Sequence, residues 1–260
     1  MQIITSKDNE YIKEIKKLQE KKYRDLYKKF IVEGNRIIED AIKENANIET
    51  IVICEDCVKN LDKKLMYEIA KYNCLYVSEK VFNSLTDVTN PQGILAVVSI
   101  NRNKNKIEYL DDIIVVLDGI QDPGNLGTIL RTVDSADLKQ IIVSENTADC
   151  YNPKVVRSTM GGIFRVNVIK SDNLVKDLLE IKKQGFDVVV SSLDAEKSVY
   201  DIKFSKKVIV IGNEANGVSK DIMEIADIKA KIPMLGKTES LNASVAAGIF
   251  IYEYVRNYNK

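Results

Sequence analysis

The chain has 260 residues, of which 45% are hydrophobic, and its 38 basic side chains balance 38 acidic ones, so it can bury a sizeable core and has no global charge that favours nucleic acid. No uncharged apolar run reaches the roughly 18 residues of a membrane span, and the first ten residues lack an apolar signal region, so we expect a cytoplasmic protein. Histidine is absent, which excludes a Ser-His-Asp triad, a Cys-His pair and histidine-ligated zinc.

The first thirty residues are predicted to form a helix with a local positive charge. Ser6 can cap a helix over residues 6–29, in which Ile12, Ile15 and Leu18 recur at three-residue spacing. The segment has nine Lys or Arg residues against five Asp or Glu residues. Such a run is more often a solvated helix face than a binding patch, so alone it indicates no function.

Short strands and one-sided helices alternate up to residue 100. Helices are predicted in NRIIEDAIKEN and LDKKLMYEIAKY, and strands in FIVEG, IETIVICE, CLYVSE and QGILAVVS. The polar stretch INRNKNKIEYL that follows has no apolar period. We therefore predict a small N-terminal α/β domain over residues 1–100 and a linker over residues 101–110.

The four cysteines do not form a recognisable metal motif. Cys54 and Cys57 have the spacing of a redox or zinc pair, but a zinc ribbon needs a second pair. Only Cys74 lies near them in sequence, and Cys150 is remote. We expect free, mostly buried thiols and no bound metal.

Residues 111–260 are predicted to form an α/β domain of the doubly wound type. The continuous apolar runs IIVVLD, QIIVSE, DVVVSSL and KVIVIG indicate strands covered on both faces, hence a mainly parallel sheet. Asn152 and Pro153 begin one helix, Gly161 ends it, and residues 241–257 form the last helix. Ligands of such domains bind beyond the C-terminal ends of the strands.

The loop DGIQDPGNLGTILRT follows the first of these strands and opens a helix. It lacks the G-x-G-x-x-G spacing and the Gly-Lys-Ser/Thr end of phosphate-binding loops. An apolar stripe that begins at Leu126 places Arg131 on its flank, along the rim of the strand ends. Asn125 can cap the helix or face a ligand, although a capping Asn and a solvated Arg explain the stretch at least as well.

Two later stretches also place polar residues next to strand or helix ends. In VIVIGNEANGVS, Glu214 follows a buried strand, and an Asn-Gly turn with a surface carboxylate is the plainer interpretation. In IPMLGKTESLNASVAAG, Ser240 is predicted as the N-cap of a helix that Leu241 opens. Asn242 then lies in the first turn, where free backbone N–H groups favour polar ligands.

Together, NLGTILRT, GNEANG and IPMLGKTESLNASVAAGI resemble the ordered motifs of the SpoU (TrmH) family of SPOUT methyltransferases. The resemblance covers residues 111–260, and FIVEGNRIIEDAIK and NPQGILAVV are similar to the family's substrate-binding domain. It implies methyl transfer from S-adenosylmethionine to a ribose 2′-hydroxyl of structured RNA, with 23S ribosomal RNA the leading substrate. It also implies a deep trefoil knot and a homodimer formed through the catalytic domain. A transfer RNA enzyme and a non-catalytic RNA-binding assembly factor are the alternatives.

The resemblance also implies roles for individual residues. Arg131 corresponds to the family's catalytic arginine, and the polar residues around it correspond to Asn125, Glu214, Ser240 and Asn242. The residues expected to bind S-adenosylmethionine are Ser192, Leu193, Gly212, Asn213, Ile232, Met234 and Leu241. Because a guanidinium keeps its proton, we expect Arg131 to hold an RNA phosphate and to stabilise the negative charge that develops on the ribose oxygen.

RNA binding is expected to rest on lysines of the N-terminal domain, because the whole chain is electroneutral. The residues concerned are Lys13, Lys16, Lys17, Lys21, Lys22, Lys28 and Lys29.

A further alternative to an RNA methyltransferase is an enzyme that binds ATP or NAD at the DGIQDPGNLG loop. The glycine spacing and the missing lysine disfavour it.

Overall fold

The structure, a computed structural model, describes residues 3–100, 106–109 and 111–258. The chain folds into two compact units, Met1–Arg102 with Tyr151–Phe164, and Asn103–Cys150 with Arg165–Lys260. Of the linker predicted over residues 101–110, positions 101–105 and 110 lie outside the described residues. Within residues 106–109, Ile107 packs against the core of the second unit, and the backbone N–H of Glu108 donates to Gln140 Oε1 over 3.0 Å.

The first unit is built on a five-stranded mixed sheet. Its first ten elements are β1 (Ile3–Ile4), α1 (Glu10–Lys17), α2 (Lys21–Tyr27), β2 (Lys29–Glu33), α3 (Asn35–Lys43), β3 (Ile48–Cys54), α4 (Lys63–Ile69), β4 (Cys74–Val77), α5 (Glu79–Phe82) and β5 (Ile94–Ser99). The strand order is β1-β4-β3-β5-β2. β4 pairs in parallel with β1 and β3, whereas β5 is antiparallel to β3 and β2.

The helix predicted over residues 6–29 is wrong in two respects, because the structure has two helices there and neither is capped by Ser6. Asn9 caps α1 by accepting from the backbone N–H of Tyr11 over 3.0 Å. The buried guanidinium of Arg24 donates to the carbonyls of Leu18 and Gln19, at 2.8 and 2.7 Å. These carbonyls have no helical partner at the break, so the arginine stabilises the interruption.

The strands that follow residue 111 build one large sheet, and helices connect most of them. In chain order they are β6 (Ile113–Asp118), α6 (Pro123–Ser135), β7 (Gln140–Ser144), α7 (Pro153–Ser158), α8 (Gly162–Arg165), β8 (Asn167–Ser171), α9 (Leu174–Lys183), β9 (Asp187–Ser191), β10 (Lys197–Ser198), β11 (Lys207–Gly212), α10 (Lys220–Ile225), β12 (Ile228–Lys231) and α11 (Ala243–Tyr258). α7 packs against β2 and belongs to the first unit.

The second unit has the mainly parallel sheet that its sequence predicts. The strand order is β10-β12-β9-β11-β6-β7-β8, and these strands all pair in parallel over the residues that the structure describes. β6 and β11 are adjacent and in register, with Asp118 opposite Gly212. Because parallel strands end at the same edge, this register places the loops after β6 and β11 side by side.

The four predicted strands of this unit are all present, and their buried faces form its core. β8 and β12 escaped prediction because the sequences NVIKS and IKAK place lysines within the strands and offer no continuous apolar run. Asn152 caps α7 as predicted, by accepting from the backbone N–H of Lys154 over 2.9 Å. Within the described part of the chain, no helix has the length and hydropathy of a membrane span.

Candidate active site

The loop after β6 begins with a left-handed glycine. Gly119 has φ +74°, a conformation that glycine adopts without steric cost. Its backbone N–H donates to Ser144 Oγ over 2.8 Å, and its carbonyl accepts from Asn213 Nδ2 over 2.7 Å. Hydrogen bonds therefore join the loop after β6 to the end of β7 and to the loop after β11, at the carboxyl edge of the sheet.

Asp122, and not Asn125, caps α6. The Asp122 carboxylate accepts from the backbone N–H of Asn125 over 2.8 Å, and Pro123 occupies the first turn. The side chain of Asn125 is thereby free of capping, and it is buried, with 9% of its surface exposed. A buried amide needs hydrogen-bond partners, and Asn125 finds them on the two other predicted motifs.

Glu214 lies against the start of α6. Its Oε1 accepts from Asn125 Nδ2 over 2.9 Å, and its carboxylate also receives longer bonds from the backbone N–H groups of Gln121 and Asp122, at 3.3 and 3.4 Å. Burial raises the pKa of Glu214, but these donors outweigh burial and the net pKa lies below its ordinary value. Glu214 is therefore an ionised acceptor at neutral pH.

Asn242 completes a hydrogen-bonded chain through the three motifs. Its Nδ2 donates to Asn125 Oδ1 over 2.9 Å, while its Oδ1 accepts from the backbone N–H of Ser244 over 2.9 Å. Asn242 is thus the N-cap of α11, which begins at Ala243. The prediction of Ser240 as the cap is wrong, since Asn242 offers the same acceptor two residues nearer to the helix.

The loop after β11 folds back, so that the backbone at Gly212 and Asn213 comes close to the backbone at Gly217 and Val218. The backbone groups of Asn213 and Gly217 bond reciprocally, each over 2.9 Å. A Cβ at position 212 would lie 2.2 Å from the carbonyl carbon of Gly217 and from the nitrogen of Val218. Only glycine fits at position 212 without movement of the backbone.

A cleft of about 640 Å³ opens at this edge of the second unit. Ten of the twelve predicted site residues line it, namely Ser192, Leu193, Gly212, Asn213, Glu214, Ile232, Met234, Ser240, Leu241 and Asn242. Asn125 is not a lining residue but bonds to two that are. The structure therefore brings three separated stretches of sequence to one cavity.

Arg131 is the predicted residue that stands apart from the cleft. It is exposed on α6, on the flank of the buried stripe of Leu126, Ile129, Leu130 and Val133. Its guanidinium has no hydrogen bond or ion pair with any residue that the structure describes. Its guanidinium is therefore available to a ligand.

Several residues that the sequence did not single out also contribute. Asp194 and Lys231 line the cleft, and Asp118 Oδ2 accepts from the backbone N–H of Ser219 over 2.8 Å. Asp118 and Asp122 could have been recognised as acceptors next to a strand end and a proline-led helix start. Nothing in the local sequence marks Asp194 or Lys231.

The composition of the cleft suits an organic cofactor with a flat ring and a polar tail. Drug-sized ligands occupy pockets of roughly 300–1,000 Å³ that combine apolar walls with a few fixed polar groups. Leu193, Ile232 and Met234 supply apolar walls, and Gly217, where a Cβ would meet no atom within 4 Å, leaves the backbone of the cleft open to a ligand. Among the described residues, no cluster of His, Cys, Asp or Glu could hold a metal ion.

Two protein families match this chain. Residues 112–252 match the SpoU rRNA Methylase family, and residues 9–96 match the MRM3-like substrate binding domain. Together the two matches span most of the chain.

Known proteins are similar over nearly the full length. The chain is 32% identical over 253 residues to the Bacillus subtilis (strain 168) protein named 23S rRNA (guanosine(2553)-2'-O)-methyltransferase RlmP, covering 97% of this chain and 98% of the relative. An AdoMet-bound rRNA methyltransferase from Sinorhizobium meliloti is 29% identical with a TM-score of 0.85, covering 98% and 97% of the two chains. AviRb from Streptomyces viridochromogenes, in complex with AdoMet, is 25% identical with a TM-score of 0.86, covering 97% and 99%.

Proposed function

Because the chain belongs to the SpoU rRNA methylase family, we propose that it methylates the ribose 2′-hydroxyl of a guanosine in 23S ribosomal RNA. The chain is an RNA 2′-O-methyltransferase whose cofactor is S-adenosylmethionine, the AdoMet of its structural neighbours. The activity for which the Bacillus subtilis relative is named supports guanosine in 23S RNA as the target. Such a substrate places the reaction in the cytoplasm.

The observation that carries the proposal is the hydrogen-bonded chain from Glu214 through Asn125 to Asn242. It joins the three family motifs, and two of its members, Glu214 and Asn242, line the large cleft. Each member has a defined acceptor or donor, so these side chains need little reorganisation when substrate arrives. Fixed polar groups of this kind stabilise a transition state more effectively than mobile ones.

Residues of the cleft are suited to hold the cofactor. We assign this role to Ser192, Leu193, Gly212, Asn213, Ile232, Met234 and Leu241, which all line the cavity. The apolar side chains would cover the adenine ring, and exposed backbone groups would bond its polar edge. When bound, S-adenosylmethionine supplies an electrophilic methyl group.

Arg131 is assigned to the RNA. Its exposure and lack of partners support a role in which the guanidinium binds a phosphate and stabilises the developing charge on the ribose oxygen. Histidine, the common base near neutral pH, is absent from the chain. The positioning residues Asn125 and Asn242 would hold the Glu214 loop against α6 while the hydroxyl attacks.

Further features are part of the proposal. We assign RNA binding to residues 1–100, catalysis to residues 111–260, and a homodimer and a deep trefoil knot to the catalytic domain. Exposed apolar side chains of the second unit, Val245 and Tyr252 on α11 and Leu235 before it, support self-association. Analytical ultracentrifugation of the full chain tests the dimer, and a concentration-independent monomer would contradict it.

The decisive experiment is a methylation assay on unmodified transcripts. The full chain is incubated with methyl-labelled S-adenosylmethionine and with 23S RNA, 16S RNA or transfer RNA. We expect label in 23S RNA alone, at one position that resists alkaline hydrolysis. Label in transfer RNA would favour the alternative substrate, and cofactor binding without transfer to any RNA would favour the assembly factor.

A further inference from the structure

The short helix α2 buries only one of its seven side chains, and that side chain is an arginine. Arg24 lies at the corner between α1 and α2, where its guanidinium donates to the carbonyls of Leu18 and Gln19. The apolar side chains of α2 stay at the surface, since Leu26 is 64% exposed and Tyr23 is only half-buried. A surface helix normally turns its apolar residues toward the core, so the outer face of α2 is available to a partner.

The ring of Tyr23 lies on a second aromatic ring that is anchored in the first unit. It stacks on Tyr27 with a centroid distance of 5.9 Å and an interplanar angle of 27°. Tyr27 in turn packs against the core cluster to which Ile12 and Leu18 belong. The hydroxyl of Tyr23 makes no hydrogen bond with a residue that the structure describes. The ring of Tyr23, and not its hydroxyl, is therefore the part that is held in place.

Two ammonium groups lie next to the same ring. Lys17 Nζ, from the end of α1, is 5.5 Å from the centroid of the Tyr23 ring, and Lys22 Nζ, from α2, is 5.6 Å from it. Both lysines are exposed, and neither forms an ion pair with a residue in the described part of the chain. Residues 16–29 include seven basic and two acidic side chains. The corner between α1 and α2 therefore combines a flat ring with positive charge.

We propose that this corner binds an unpaired nucleotide of the substrate RNA, with the base stacked on the Tyr23 ring and the neighbouring phosphates held by Lys17 and Lys22. The inference rests on the proposed function in that the substrate is RNA, and it adds the form of RNA that the first unit binds. Bases that proteins stack on aromatic side chains come from single-stranded loops, bulges and ends, so the contact requires such a segment.

A nucleotide matches both parts of this surface. Proteins that bind single strands without sequence preference combine positive charge along the backbone with aromatic side chains on which bases stack. An exposed cation–π contact is weaker than base stacking, so a base can displace the long lysine side chains from the ring while their ammonium groups pair with phosphates. The corner also lies within residues 9–96, which match a substrate binding domain.

Tyr67 offers an internal comparison in the same unit. Its ring is 72% exposed, and Lys71 Nζ lies 5.2 Å from the ring centroid. The Lys71 ammonium is paired with Glu68 over 2.6 Å, so it brings little net positive charge to the ring. A variant at Tyr67 therefore tests whether any exposed tyrosine next to a lysine would serve.

The test uses the full chain without cofactor and two fluorescein-labelled octanucleotides in fluorescence anisotropy titrations. One is single-stranded CACACACA, and the other is the same ribose-phosphate chain with every base replaced by hydrogen, so that both have the same phosphates. We expect the unaltered chain to bind CACACACA at least about fivefold more tightly than the abasic chain, the smallest gain that one stacked base gives. Equal affinity for the two octanucleotides would overturn the inference.

Tyr23→Leu keeps an apolar side chain on Tyr27 and removes the flat ring. It should weaken binding of CACACACA by at least about fivefold and change the affinity for the abasic chain by less than about twofold. Tyr23→Phe, which retains the ring, and Tyr67→Leu should bind both octanucleotides as the unaltered chain does. A variant Tyr23→Leu that keeps full affinity for CACACACA, or that loses both affinities equally, would contradict base stacking.

Lys22→Gln should give the opposite pattern, because it removes a phosphate contact and leaves the ring. Both octanucleotides should bind more weakly by the same factor, and the plot of log K against log salt should flatten by about 0.7. An unchanged slope would remove Lys22 from the site and overturn the inference as stated. Methylation of 23S RNA is scored in a separate assay, so the base contact and the proposed function can fail independently.

Discussion

Asn125 and Glu214 are 89 residues apart in sequence and are joined by a 2.9 Å hydrogen bond from amide nitrogen to carboxylate oxygen. The same amide accepts from Asn242 through its oxygen, also over 2.9 Å. One buried side chain thus links the loop after β11 to the segment that precedes α11. The consequences of removing it are specific enough to measure.

Asn125→Ala should lower kcat/KM without unfolding the protein. The change removes the side-chain donor of Glu214, and a hydrogen bond to a charged group contributes about 1.5–3 kcal/mol, which corresponds to roughly 10–150-fold in rate. Steady-state kinetics with 23S RNA measure the effect. Thr128→Ala is the matched control, because its exposed hydroxyl donates only to the carbonyl of Gly124 within α6. Unchanged kinetics in folded Asn125→Ala would refute the role.

Arg131→Lys should reduce kcat by at least about tenfold and leave the Kd for S-adenosylmethionine unchanged. Lysine keeps the charge but loses the planar fork that binds a phosphate in bidentate fashion. Single-turnover kinetics and calorimetry separate the two quantities. Arg256→Lys, the same substitution at an exposed site paired with Glu253, serves as the control. Full turnover in Arg131→Lys would exclude a special guanidinium role.

Gly212→Ala should damage both stability and cofactor binding. The added Cβ would lie 2.2 Å from backbone atoms of Gly217 and Val218, so the loop has to move. Overpacking of this kind costs about 1–3 kcal/mol. Thermal melts and calorimetric titration with S-adenosylmethionine report the two effects. Gly236→Ala is the control, since a Cβ there meets no atom within 4 Å, and wild-type binding by Gly212→Ala would contradict the steric argument.

RNA affinity should fall steeply with added salt, although the chain has no net charge. Lys16 and Lys21 are exposed on α1 and α2, and each phosphate contact that is lost should flatten the plot of log K against log salt by about 0.7–0.9. Lys16→Ala and Lys21→Ala are tested by anisotropy at several salt concentrations. Lys71→Ala should leave the slope unchanged, because Lys71 pairs with Glu68 over 2.6 Å and is not among the lysines expected to bind RNA. A flat response in the unaltered chain would remove the electrostatic basis for binding.

Asp227 should stabilise the fold near neutral pH and lose this effect in acid. Burial raises its pKa, but the Lys182 ammonium at 2.9 Å and the backbone N–H of Val188 at 2.8 Å outweigh burial and lower it. A carboxyl group whose pKa is lower in the native state than in the unfolded chain stabilises the fold at pH values above its ordinary pKa of 3.8. This contribution disappears as the pH falls through the native pKa. The difference in Tm between the unaltered chain and Asp227→Asn should therefore narrow toward pH 2–3. Asp172→Asn, at an exposed site, should show no such trend.

Continuous apolar runs made the centre of the large sheet predictable, because strands such as Ile113–Asp118 are buried on both faces. The same criterion could not find β8 and β12, which carry lysines. Capping was ambiguous, since Asp, Asn and Ser all accept from backbone N–H groups. Asp122 fills the cap for which Asn125 was one candidate, and Asn242 fills the cap predicted for Ser240.

The motifs marked the candidate site, but its internal geometry depends on long-range packing. The Asn125 side chain is available to Glu214 because Asp122 caps α6, and that depends on the residue at which the helix begins. The close approach at Gly212 likewise arises from how the backbone returns at Val218. Sequence spacing contains neither of these two relationships.

The position of β11 between β6 and β9 has a consequence for synthesis on the ribosome. As the nascent chain emerges, β6 can pair with β7 at once, but its other edge stays open until Lys207–Gly212 is translated. Pairings of such long sequence separation form slowly, and an open apolar edge attracts other chains. A polypeptide stalled before residue 207 would therefore expose the middle of its sheet and need a chaperone to remain dispersed.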